Sequence, residues 1–126
     1  TTAAIGKWHL GWNWNNIESG KNKIDYRKPI KNGPTSLGFD YFYGFCGSLD
    51  MPPYVYVETD RPTAVPDTVT QNKGKYNWWR KGPKSPDFVH EEVLPNIIDK
   101  ACNYISHKSV SSQPYFRGVQ GKVRNR

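Results

Sequence analysis

The sequence predicts part of an α/β fold, on three observations. Residues 1–5 are small and β-branched and run into Gly6, the pattern of a buried strand that ends in a loop. Leu94, Ile97, Ile98, Ala101 and Ile105 fall at i, i+3, i+4, i+7 and i+11, an apolar stripe that predicts one amphipathic helix. Gln113-Pro114-Tyr115-Phe116 then has the composition of a strand entry.

Between these elements the chain predicts mostly loop. Residues 11–38 form a polar connection rich in Asn, Lys and Gly. Residues 37–45 are dense in aromatics: Phe39, Tyr41, Phe42, Tyr43 and Phe45. Pro52-Pro53 excludes helix and marks a turn, and Tyr54-Val55-Tyr56-Val57 has strong strand propensity. Residues 61–86 carry prolines and the Trp78-Trp79 pair and are expected to be irregular. Asp87 suits a helix cap, and Glu91 and Glu92 suit an early turn. Pro95 must lie in the first turn, so the regular helix is expected to begin near Glu92, with His107 and Lys108 at its C-terminal end. After Phe116 the expected strand dissolves, because residues 117–126 hold only two apolar side chains, Val119 and Val123. Residues 1–116 are therefore expected to belong to the fold, and 117–126 to be a basic tail foreign to it. The competing expectation is a natural disordered tail.

Composition points the same way. In a chain of 126 residues, 36% hydrophobic content is low, and 11 Gly and 10 Pro imply many turns. The aromatics supply core material in patches between polar loops. A segment of a larger fold is expected rather than a self-sufficient core. The sequence opens as though inside a strand, and its sole methionine is Met51. It shows no targeting segment, and no apolar run approaches the length of a membrane span. Cys46 and Cys102 make no disulfide framework and no CxxC pair, and both are expected to be packed thiols. The formal charge of +7 is concentrated in residues 21–31 and 117–126. That balance fits an anionic partner, but no basic stripe interleaved with aromatics and no nucleic-acid-binding motif appears, so a nucleic-acid partner is not expected.

The candidate chemistry lies in Gly6-Lys7-Trp8-His9-Leu10-Gly11. If the backbone stays extended, Lys7 and His9 share one side, while Trp8 and Leu10 anchor the other in a core. Two N–H donors would then face an anion beyond the carboxyl end of a strand, where open α/β sheets keep their ligands. The plain alternative is a strand end with a solvated Lys and a His satisfied by backbone.

Residues 2–11 resemble the second signature of the sulfatases, whose core is G-K-W-H-L-G. Leu37-Gly38-Phe39-Asp40-Tyr41-Phe42-Tyr43-Gly44 is similar to the GFD-x-F-x-G segment that follows in that family. Residues 48–56, 87–105 and 114–116 are similar to segments of arylsulfatase A-like bacterial members. The resemblance implies a partial alkaline-phosphatase-like sulfatase fold: a strand, long loops and one amphipathic helix. It implies a parent enzyme that hydrolyses sulfate esters with a formylglycine nucleophile and calcium. Lys7 and His9 would be the catalytic and sulfate-contacting residues, and Asp50 in the Leu-Asp-Met-Pro turn a weaker substrate contact. Trp12, Trp14, Trp78 and Trp79 would either stack on sugar rings or pack as loop anchors. His90 and His107 are expected to be solvated.

Departures from the family are as informative. The nucleophile signature C/S-x-P/A-x-R is absent from this sequence, and Cys46 lacks the Pro and Arg that would follow. The family's paired Asp ligands for calcium are absent too, so no metal ligand is assigned. Implied partners are a sulfate ester or sulfated glycan and the remainder of a sulfatase domain. Relatives work in secreted, periplasmic or lysosomal settings. The alternative is a catalytically inactive remnant that binds sulfated glycan.

Overall fold

A computed structural model describes residues 1–18 and 23–109, and the backbone of the strand at 116–120. The N-terminal strand β1 (Thr2–Lys7) leads through the long polar connection and a 3-10 turn, Pro34–Leu37, into β2 (Tyr41–Phe45). Three short or polar segments follow: β3 (Val57–Glu58), β4 (Arg61–Pro62) and β5 (Thr68–Lys73). Then come β6 (Trp78–Lys84), the helix α1 (Val93–Ser109) and β7 (Phe116–Gln120). The main sheet has the order β4-β3-β2-β1-β7, and β5 and β6 form a separate two-stranded hairpin. The pairs β1–β2 and β1–β7 are parallel, so three strands point their carboxyl ends at one edge.

Side-chain alternation along β1 and β2 divides the core between two faces of the sheet. Ile5, Tyr43 and Phe45 pack with Val93, Ile97 and Ala101 of α1, together with Tyr54, Tyr56 and Phe88. On the opposite face Phe42 and Val57 pack with Ile30, and Ala4, Trp8, Trp12 and Trp14 close over them. Fully burying each large apolar side chain contributes roughly 1.5–3 kcal/mol, so these clusters dominate the attraction holding the sheet to its cover. Trp12 meets Trp14 edge-on at 5.5 Å and Phe42 at 5.8 Å. This gives the polar connection its anchor: Asn13 and Lys31 exchange backbone hydrogen bonds of 2.8 Å, which fold the loop back on itself.

Two glycines are fixed by close approach. Gly6 and Gly44 are partners in the β1–β2 register, and a Cβ on Gly44 would lie 1.8 Å from the Gly6 carbonyl oxygen. A Cβ on Gly82 would lie 2.1 Å from the Pro52 side chain, so the hairpin docks against the 50–54 turn only without one.

Several expectations need correction. Residues 61–86 are not irregular, since β5 and β6 pair antiparallel from Thr68↔Lys84 to Lys73↔Trp78. The helix begins close to the expected place, preceded by a 3-10 turn at His90–Glu92. Its buried face is Val93, Ile97 and Ala101, while Leu94 and Ile98 are 40% and 47% exposed. Cys102 is exposed rather than packed. Asp87 does not cap the helix but accepts a hydrogen bond of 2.7 Å from the buried Ser85 hydroxyl. The strand entered at Phe116 does not dissolve at once, because Phe116–Gln120 pairs with β1 from Thr2↔Phe116 to Gly6↔Gln120.

Candidate functional site

The parallel edge formed by β1, β2 and β7 places the candidate residues. Lys7 is the last residue of β1 and pairs in register with Phe45, the last residue of β2. By alternation it lies on the face of Ile5, and its side chain is half-buried. The ladder continues past both strand ends. The Trp8 N–H donates to the Phe45 carbonyl at 3.0 Å, and the His9 N–H donates to the Cys46 carbonyl at 2.8 Å. Backbone bonds thus hold Trp8 and His9 at the strand ends.

His9 has φ 59°, in the left-handed region that non-glycine residues seldom occupy. Strand alternation therefore stops at His9. Trp8 still obeys it, packing edge-on against Phe39 and Phe42 on the face opposite Lys7. Its indole N–H donates to the Gly11 carbonyl at 3.2 Å, which closes the loop. Leu10 does not follow: it is 77% exposed, not anchored in the core. The left-handed turn at His9 carries it away, and His9 itself is exposed. A left-handed non-glycine residue costs of order 1–3 kcal/mol, and such strain gathers at functional sites.

Asp50 lies in the loop that leaves β2 at this edge. Its carboxylate sits 3.9 Å from the Arg80 guanidinium, and its carbonyl accepts the Arg80 N–H at 3.2 Å. The Tyr54 hydroxyl donates to the carbonyls of Arg80 and Asp50, at 2.6 and 3.1 Å. Burial, opposed in part by Arg80, pushes the Tyr54 hydroxyl up to about 12, so it stays a neutral donor. Asp50 therefore belongs to a junction between the β2 loop and the hairpin.

Cys46 is half-buried, and burial raises its thiol above the ordinary range, the opposite of an activated nucleophile. His90 is not solvated as expected. It stacks on Trp79 at 3.8 Å, and its Nε2 lies 3.0 Å from the Leu49 carbonyl. His107 is exposed, as expected. It lines a cleft of about 240 Å³ with Tyr41, Lys100, Asn103 and Tyr104. Tyr41 opens β2, so this cleft lies at the amino end of that strand, away from Lys7 and His9.

N-acetylgalactosamine-6-O-sulfatase of Bacteroides thetaiotaomicron is 31% identical to this chain over 91 residues, which cover 70% of the chain. The chain belongs with the sulfatases. A solved structure described under the metabolism of multiple glycosaminoglycans by Bacteroides thetaiotaomicron aligns with a TM-score of 0.63 at 21% identity. It covers 93% of the chain, and the fold is thereby a partial α/β sulfatase fold. The chain spans 17% of the curated relative's length and 30% of the solved chain's. No protein-family profile matches it.

Calcium, which sulfatases use, takes six to eight oxygen ligands rich in carboxylate. Among the described residues no group of three or more His, Cys, Asp or Glu side chains gathers. Asp50 directs its carboxylate to Arg80. The described residues do not by themselves fit that ion.

Proposed function

We propose that this chain supplies the sulfate-contacting edge of a sulfuric ester hydrolase, with Lys7 and His9 as the residues that touch the sulfate group. The carrying observation is the Gly6–Gly11 segment at the carboxyl edge of three parallel strands, where the Cys46 carbonyl, just past β2, accepts from His9 in its left-handed turn. Hydrolysis of a sulfate ester builds negative charge on the leaving oxygen and the sulfate oxygens. Lys7 is a compact cation on a half-buried stem, suited to meet that charge. The His9 imidazole can donate to the same group or pass a proton to a departing oxygen. Holding the backbone that carries these donors before substrate arrives lowers the reorganisation cost of the reaction.

The nucleophile would come from outside this sequence, which has no C/S-x-P/A-x-R run. By resemblance to arylsulfatases it would be a formylglycine assisted by calcium. The substrate would be a sulfated glycan, a class suggested by the relative that acts on N-acetylgalactosamine 6-O-sulfate.

The test is an NMR titration of the 126-residue chain with inorganic sulfate, followed at the His9 ring and the Lys7 side chain. Saturable shifts at both are expected, and Lys7→Ala should weaken the binding about tenfold or more. Shifts confined to other cations would refute the assignment. The chain alone should release no 4-nitrocatechol from its sulfate ester; turnover would show that the nucleophile lies within it.

A further inference from the structure

We propose that the outer face of the β5–β6 hairpin is a binding arm for an anionic saccharide, with Trp78 as the stacking surface and Arg80 and Lys73 as cationic contacts. The proposal deepens the sulfated-glycan reading and rests on it for the position of the reacting end.

Each tryptophan of the chain has a definite use except one. Trp8, Trp12 and Trp14 close over the second core cluster. Trp79 turns to the inner face of the hairpin, where it stacks on His90 at 3.8 Å and donates to the Thr70 hydroxyl at 3.1 Å. Alternation then sends Trp78 outward, and it is 51% exposed. Tyr76, at the hairpin end, is 66% exposed. Half of the Trp78 indole is thus open to a partner, and covering it with a flat apolar face would gain hydrophobic stabilisation that the hairpin itself leaves unused.

Its neighbours define the partner. The Arg80 guanidinium lies 5.8 Å from the Trp78 ring centre, and Lys73 is the cross-strand partner of Trp78. Lys75 lies 5.3 Å from the Tyr76 ring. Residues 68–84 contain Lys73, Lys75, Arg80, Lys81 and Lys84 and no Asp or Glu. A flat apolar ring flanked by cations fits a sugar face with acidic substituents. Single-stranded nucleic acid has similar needs. The saccharide is favoured by where the arm is anchored. Arg80 is bonded to Asp50, and Asp50 is four residues from Cys46, whose carbonyl holds His9. Four residues span at most about 14 Å. The anchor of the arm therefore lies within reach of the proposed sulfate edge, a separation that the next units of the same glycan can span.

The decisive experiment is affinity electrophoresis of the full 126-residue chain in gels containing chondroitin sulfate, with neutral dextran as control and single-stranded DNA of matched charge as competitor. Retardation by chondroitin sulfate and not by dextran is expected. Trp78→Ala should weaken it about tenfold, and Trp78→Tyr should restore most of the loss. Arg80→Gln should weaken it and lessen its salt dependence. Wild-type retardation of Trp78→Ala would overturn the proposal, as would displacement by DNA at lower charge concentration than chondroitin sulfate itself. The Trp78→Ala chain should still show the sulfate-induced shifts at Lys7 and His9. If the arm fails while those shifts persist, only the arm is lost; if the shifts fail in the wild type, the sulfate edge is the part refuted.

Discussion

At the scale of single residues, the register pair Gly6–Gly44 governs whether β1 and β2 can pair where Lys7 begins. Gly6 has φ 123°, and a methyl group on Gly44 would overlap the Gly6 carbonyl. The strands would have to separate at the point that feeds the candidate site. Gly44→Ala should therefore cost about 1–3 kcal/mol or more, read as a lowered urea midpoint, and should also weaken sulfate binding. A variant with wild-type midpoint and binding would show that the pair carries no constraint. The motif that nominates Lys7 and His9 is contiguous in the sequence, so no tertiary information was needed to propose them. Leu10 was misjudged because alternation assumes an extended backbone, and the left-handed His9 interrupts it. The turn is held here by hydrogen bonds that Trp8 and His9 donate to Phe45 and Cys46, far away in sequence, so a local pattern does not contain it.

At the scale of elements, α1 shows the limit of periodicity. Val93, Ile97 and Ala101 recur at i, i+4 and i+8 and are buried, whereas Leu94 and Ile98, one position later, face out. Both stripes are apolar, and the sequence offers no rule for which meets the sheet. Ile97→Ala should cost about 2–5 kcal/mol, and Ile98→Ala less than about 1 kcal/mol, by urea denaturation. Equal losses would mean that the helix is rotated from this placement. The hairpin escaped notice because its strands are largely polar and lie among prolines, and it docks on the rest of the chain through contacts that include the Trp79–His90 stack. That stack carries a pH dependence. Burial lowers the His90 pKa below its ordinary 6.5, outweighing the raising effect of the Leu49 carbonyl. The unfolded chain then binds the proton more readily, so stability is complete above about pH 6.5 and falls as pH drops below it toward the folded pKa. In His90→Gln this loss should be absent. Melting temperatures of the two proteins from pH 7.5 to 5 test it, and identical pH slopes would remove His90 from the account.

At the scale of the molecule, one side of α1 carries apolar residues that stay exposed. Leu94 and Ile98 with the exposed Cys102 line one side of α1 at i, i+4 and i+8, and nothing described covers them. Aligned residues of this kind on an exposed helix favour association, since burying them against any apolar surface releases water. The β4 edge of the sheet is better protected: β4 is two residues long and ends in Pro62, which offers no donor. Association should therefore proceed through the helix rather than through strand addition at β4. Light scattering should find the wild-type chain oligomeric at micromolar concentration. Leu94→Glu combined with Ile98→Lys should make it monomeric, and because the pair sits at i, i+4 with Glu first, the helix should lose no thermal stability. Cys102→Ser should leave the oligomer in place under reducing conditions, which separates apolar contact from disulfide exchange. If the charged double variant associates as strongly as the wild type, the contact lies elsewhere, and the exposed side of α1 is not the associating surface.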